Sequence, residues 1–212
     1  MVRRLKRLWL LCLGVAALGL LSAGSASAAE FHSEVAHTSI TGTHGGEEIF
    51  TVNAGSIRCQ ETHYVGTRTV ATSTTLTLTP EYTGCTAFGF VNATIDHNGC
   101  FLTFHTEAGT GAIGGRHTIE CEGGKAITVT AFNCWVTIGS QSNIGPVTYT
   151  NQGAGATRDV TVDFSTSGLT YTQHSKSFPG CTNGTFTNGI HSGATTLRSF
   201  DTAGLQKGFW VH

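Results

Sequence analysis

The chain has 212 residues, of which only 12% are charged, about half the usual share for a globular protein. Its formal net charge is −1, and no Lys/Arg cluster follows residue 7. That excludes the basic footprint of a nucleic-acid-binding protein and the Lys/Arg-rich amphipathic helix of a membrane-surface protein.

Arg3, Arg4, Lys6 and Arg7 form a positive N-terminal region, and Leu8 to Leu21 is almost wholly apolar. Ala26-Ser27-Ala28 supplies the small-x-small cleavage pattern, so residues 1–28 read as a secretory signal peptide cleaved after Ala28. The apolar run is shorter than the roughly 20 residues a spanning helix needs. Cys12 lies inside that run instead of after it, which argues against lipidation. Cleavage removes four of the twelve Lys/Arg and none of the thirteen Asp/Glu, leaving eight against thirteen, a charge of −5. No second apolar run of spanning length follows, and Gly208 to His212 carries no anchor. The mature chain, 29–212, is therefore expected to be secreted or cell-surface associated, without membrane insertion and without nucleic-acid partners.

The mature segment predicts short strands throughout. Leu76 and Leu78 alternate with Thr75, Thr77 and Thr79. Ile127 and Val129 alternate with Thr128 and Thr130; Val136 and Ile138 flank Thr137. Val160, Val162 and Phe164 share one face, as do Leu169 and Tyr171. Period-two alternation of this kind marks strands with one face inward. Turns are predicted at Gly45-Gly46, Asn98-Gly99, Gly114-Gly115, Gly123-Gly124, Asn183-Gly184 and Asn188-Gly189, where positive φ is tolerated. The pattern predicts a single all-β domain: an antiparallel, Greek-key-like β-sandwich stapled by disulfides, or two tightly packed sub-sandwiches. No β-α-β alternation and no nucleotide-binding glycine loop is present.

Six cysteines remain after cleavage: Cys59, Cys85, Cys100, Cys121, Cys134 and Cys181. An even number in an exported chain reads as a disulfide framework, and six allow 15 connectivities. An internal echo suggests one of them. Cys85 is followed by a strand and Asn98-Gly99-Cys100-Phe101-Leu102-Thr103; Cys121 is followed by a strand and Asn133-Cys134-Trp135-Val136-Thr137. Two similar units would pair Cys85 with Cys100 and Cys121 with Cys134, leaving Cys59 with Cys181. No Cys-x-x-Cys and no zinc spacing occurs.

Candidate chemistry is sparse. His105 and His117 flank a Gly-rich turn and could face each other across a hairpin; a metal there would need Glu107 or Glu120 as third ligand. Asp96-His97-Asn98-Gly99 resembles the start of a calcium loop with Glu107 at position 12, but Cys100 to Phe104 reads as strand, so a β-turn is expected. No metal and no cofactor is expected. Hydrolase motifs are absent, and Glu47-Glu48 and Glu120-x-Glu122 read as strand-end or turn charges. Asn92-Ala93-Thr94 and Asn183-Gly184-Thr185 fit the N-glycosylation pattern. Phe101 and Trp135, on the face opposite their cysteines, are the candidate binding residues: a surface for stacking a sugar or a partner, or else a second buried face.

Leu76-Thr77-Leu78-Thr79-Pro80-Glu81-Tyr82-Thr83-Gly84-Cys85, Asn98-Gly99-Cys100, and Asn133-Cys134 with Gln141 after the next strand resemble a group of uncharacterised exported all-β proteins of soil actinobacteria. The resemblance covers most of the mature chain and implies no activity, substrate or site. The expected function is that of an exported non-catalytic protein, binding or structural at or outside the cell surface, with a cell-surface, glycan or protein ligand. The alternative is a secreted hydrolase acting on polysaccharide or peptide.

Overall fold

The structure, a computed structural model, describes residues 29–107, 113–178 and 180–212. The expected signal peptide lies outside the described residues. These form sixteen strands: β1 (Phe31–Ser33), β2 (Thr38–His44), β3 (Glu48–Val52), β4 (Gly55–Arg68), β5 (Thr72–Ser73), β6 (Thr75–Ala87), β7 (Val91–Asp96) and β8 (Cys100–Thr106) in the first half. The second half adds β9 (Ile113–Cys121), β10 (Ile127–Ala131), β11 (Cys134–Ile138), β12 (Gln141–Gln152), β13 (Asp159–Ser175), β14 (Gly184–Phe200), β15 (Gln206–Lys207) and β16 (Phe209–Val211).

Every alternating run read from the sequence falls inside a strand, with its apolar residues inward: Leu76, Leu78, Val129, Val136, Val160, Val162 and Tyr171 are all buried. The protein is all-β, antiparallel and disulfide-stapled. Its ladder closes on itself along two circuits of eight strands. One runs β2-β4-β6-β8-β9-β12-β13-β14 and back to β2; the other runs β3-β4-β6-β7-β10-β11-β13-β14 and back to β3. The long strands β4, β6, β13 and β14 serve both circuits, so the two halves share one continuous wall and expose few sheet edges. The sub-sandwiches expected as an alternative are thus two stacked closed rings, not separate layered units.

One residue makes that sharing possible in β13. Val160, Val162, Phe164 and Thr166 are buried at even positions, whereas Leu169, Tyr171 and Gln173 are buried at odd ones. The parity changes at Gly168, which has φ 79° and sits where the register against β14 slips. This bulge adds one residue to β13 and keeps both halves of the strand facing inward.

Two expected turns are strand instead. Asn188-Gly189 lies within β14 and Gly114-Gly115 within β9. Close packing explains the glycines: a Cβ on Gly115 would come within 2.6 Å of the Tyr149 ring, which crosses it so that the hydroxyl can donate to the His105 carbonyl at 3.1 Å. A Cβ on Gly189 would meet Leu169 at 2.9 Å. A small sheet, β16-β1-β5, packs at one pole, where fully buried Phe31 meets Tyr149 edge-on at 5.2 Å and Phe209 face-on at 6.1 Å.

All six cysteines are bonded, but not as the echo suggests. The pairs are Cys59–Cys85, Cys100–Cys121 and Cys134–Cys181. The first two staple residues already opposite each other in the β4–β6 and β8–β9 ladders, with Cα–Cα distances of 3.9 and 4.1 Å. Register rules out Cys85–Cys100: Leu78 faces Leu102 across β6 and β8, which places Cys85 about five residues, or roughly 17 Å, beyond the position opposite Cys100. Cys121 and Cys134 end and begin strands that do not pair, and Cys59 is taken by Cys85.

Cys134–Cys181 joins β11 to the β13–β14 connection and closes 47 residues. The chain-entropy estimate for such a loop is about 4 kcal/mol. Replacing both cysteines by alanine is expected to lower unfolding free energy by roughly 2–4 kcal/mol in guanidinium titrations. A shift below about 0.5 kcal/mol would show that the unfolded chain gains little freedom from this loop.

Candidate functional site

Four connections meet at the pole opposite the small sheet: residues 53–54, 88–90, 132–133 and, of the β13–β14 connection, the described residues 176–178 and 180–183. Two place phenylalanine where a turn normally takes Gly, Asn or Asp. Phe88 has φ 56° and Phe132 has φ 50°. Positive φ at a bulky residue costs on the order of 1–3 kcal/mol and persists only where the surroundings impose it. The hairpins impose it here, since β6–β7 turns in three residues and β10–β11 in two. Gly55, at φ 133°, leaves room for the Phe88 ring, which a Cβ there would approach to 2.9 Å.

Between these connections lies a cavity of about 470 Å³, lined by Asn53, Ala54, Phe88, Ala131, Phe132, Asn133, Cys134, Gln173, Gly180, Cys181, Thr182 and Phe186. Several amides beneath it hold the loops in place. The buried Gln173 accepts from the Ala54 amide at 3.2 Å and donates to the Thr182 carbonyl at 2.8 Å. The Tyr171 hydroxyl accepts from the Asn53 amide at 2.7 Å and donates to Asn188 at 3.1 Å, while Asn188 donates to the Asn53 side chain at 2.7 Å. The Cys134–Cys181 bond forms part of the wall. Among the described lining residues there is no carboxylate, imidazole, ammonium or guanidinium. The cavity can therefore bind through rings and backbone, but it offers no acid or base.

A second cluster lies inside the molecule. Glu48 is fully buried and accepts from the Tyr64 hydroxyl at 2.9 Å, and it lies 3.1 Å from Nε2 of buried His191. The His191 ring stacks on Phe50 at 4.2 Å and lies 4.9 Å from Phe164. Burial and the Glu48 carboxylate push the Tyr64 and Tyr82 hydroxyls well above their ordinary range. Burial, with His191 and His105 adding to it, lowers His117 to about 3. The void beside this cluster is about 20 Å³, room for one water. Glu, His and Tyr here have the composition of a catalytic group, yet no substrate-sized opening reaches them. They join β3, β4 and β14 from within. Glu48 is a strand-end residue as expected, the first of β3, but it is buried in the interior, whereas Glu47 pairs with Arg58 at the surface at 2.8 Å.

The sequence candidates are dispersed. Phe101 and Trp135 are half-buried on β8 and β11, and neither lines the cavity. Trp135 stacks on its cross-strand neighbour His174 at 5.0 Å. His105 and His117 do not face each other, because His105 pairs with Arg116 and His117 with Phe104, and adjacent positions point to opposite faces. His105 instead meets the Thr118 hydroxyl at 3.1 Å, and Glu107 pairs with Arg116 at 3.0 Å. The segment starting at Asp96 forms a β-turn over His97 to Cys100, closed by the Cys100 amide donating to the His97 carbonyl at 2.6 Å with φ positive at Asn98 and Gly99, and the Asp96 carboxylate accepts from the Asn98 amide at 2.8 Å. No group of three or more His, Cys, Asp or Glu among the described residues is placed to hold a metal.

Phe88, Phe90, Phe132 and Phe178 were not singled out in the sequence. Their signal was large aromatics in the interruptions between alternating runs, in Phe88-Gly89-Phe90 and Phe132-Asn133. Comparison of the chain with protein-family models, with curated proteins and with solved structures finds no match.

Proposed function

We propose that this is an exported, non-catalytic binding protein whose ligand site is the aromatic-rimmed cavity, and whose ligand presents an apolar ring or chain. Three disulfides support export, since such bonds persist in oxidising compartments. No helix among the described residues is long and apolar enough to cross a membrane.

The observation that carries the binding reading is Phe88 and Phe132, held at positive φ around a cavity of about 470 Å³. That volume lies within the usual range for small-molecule sites. Backbone strain at a pocket rim is what a preorganised site would show. The hydrolase alternative has no support from this cavity, which lacks an acid–base pair, and the Glu48–His191 pair is enclosed.

Titration with the apolar fluorophore anilinonaphthalene sulfonate tests the reading. The native protein should bind one equivalent saturably, and Phe132→Ala should weaken binding at least tenfold, about 1.4 kcal/mol. Equal binding by the variant, or no saturable binding by the native protein, would refute the site.

A further inference from the structure

We propose that the aromatic pole docks on a lipid bilayer, with Phe90, Phe132 and Phe178 entering the boundary between headgroups and acyl chains. The cavity mouth then faces lipid, and the occupant of the proposed binding site would be an acyl chain; that last step rests on the binding function proposed above.

Phe178 is 98% exposed, Phe90 82% and Phe132 69%. They sit on three separate connections, so no shared core explains them, and no described residue covers them. Fully protruding apolar side chains of this kind mark an interaction surface.

Charge argues for lipid over protein. The four connections at this pole contain no Asp or Glu, although the chain has thirteen, and their one charged residue is Lys176. Carboxylates would resist desolvation against a bilayer, while a lysine at its edge suits anionic headgroups. The other pole is charged: Asp201 lies 3.2 Å from Lys207, Glu34 accepts from the Gly208 amide, and Arg158 sits over the Trp210 ring.

A stable protein interface needs roughly 20–30 residues a side and about ten hydrogen bonds. The described residues of these connections number fourteen, and the side-chain oxygens of Asn53 and Asn183 already accept from Asn188 and the Ser175 amide, while the underlying Gln173 donates to the Thr182 carbonyl. A fluid bilayer requires neither shape complementarity nor hydrogen bonds from the tips. The contact is interfacial and adds no spanning segment, so it stands alongside the expectation that the mature chain does not cross the membrane.

The test is co-sedimentation of the disulfide-bonded protein with vesicles of phosphatidylcholine, alone and mixed with phosphatidylglycerol. The native protein should pellet with vesicles, more so with the anionic lipid. Phe90→Ser/Phe178→Ser should lower the partition coefficient at least tenfold. Neither residue lines the cavity, so fluorophore binding in solution should be unchanged. Phe178→Trp provides an independent reading, with emission shifting to the blue on vesicle addition. Native protein that stays in the supernatant, a double variant that pellets like the native protein, or a tryptophan that does not shift would overturn the proposal. So would a native dimer, seen by sedimentation velocity, that the double variant abolishes. Vesicle binding without fluorophore binding would leave docking standing and remove only the cavity reading.

Discussion

Glu48→Ala is expected to destabilise the protein by about 3–5 kcal/mol, lowering its melting temperature by roughly 10 °C or more. Glu48 has no solvent contact and is the acceptor that serves both Tyr64 and His191. Removing it strands a buried hydroxyl and a buried imidazole at the junction of the two rings. It also empties space that Gly193 leaves for it, since a Cβ on Gly193 would come within 2.6 Å of the Glu48 side chain. Breaking one partner of a buried polar pair costs far more than removing the pair together. The triple variant Glu48→Leu/Tyr64→Phe/His191→Phe, which removes all three polar partners, should therefore recover much of the loss, and Glu48→Leu/His191→Phe a smaller part of it, since the Tyr64 hydroxyl then still lacks its acceptor. Chemical denaturation of the single, double and triple variants measures this coupling. Additive losses would show that the network does not hold the junction together.

Acid should weaken the fold well above the range where ordinary carboxylates titrate. His117 is 1% exposed, beside Phe104 and Phe164, and its protonation is held down to about 3 against an ordinary value of 6.5. In the unfolded chain the imidazole takes up a proton below 6.5, whereas in the folded protein it stays neutral until about 3. The folded state is thus fully favoured by this group above pH 6.5 and loses ground as pH falls from 6.5 towards 3. At about 1.4 kcal/mol per pH unit the total approaches 4–5 kcal/mol. Asp201 adds to the loss in the same direction at lower pH, because the Leu205 amide, Lys207 and the Ala203 amide hold its carboxyl below its usual range. Denaturant midpoints between pH 6.5 and 5 separate imidazole from carboxylate titration, and comparison with His117→Phe separates His117 from His32, which burial and His212 also lower. His117→Phe should flatten that limb; an unchanged slope would assign the acid sensitivity to another group.

Much of the fold was legible because burial in a strand repeats every second residue. Leu76 with Leu78, and Val160 with Val162 and Phe164, announce both the strand and its inward face from local spacing alone. The even count of six cysteines that follow the export-type N-terminus likewise announced that all six would be bonded. Cysteine pairing was not legible, because it depends on which strands are neighbours and in what register. Cys59 meets Cys85, and Cys100 meets Cys121, since β4 pairs with β6 and β8 with β9 in one particular alignment. A short motif repeated along the chain carries no information about that alignment.

The candidate sites divide along the same line. Phe101 and Trp135 were visible as aromatics in strands, and His105 and His117 as histidines around a turn. A one-residue offset in register sends the two histidines to opposite faces, which no inspection of spacing could reveal. Glu48 reads as a strand-end or turn charge, and the closing of β14 on β3 buries it against Tyr64 and His191. The phenylalanines of the open pole were not singled out, because they are spread over three separate connections that only the fold brings together. What the sequence determined by itself was local: the strands, their inward faces, the oxidised cysteines and the shortage of charge. Tertiary structure decided everything requiring two distant segments to meet: the double ring closure, the disulfide map, the buried Glu48–His191 pair and the aromatic cavity. The reason is that side-chain alternation is a property of one strand, whereas register and closure are properties of how many strands together bury the most apolar surface without stranding a polar group.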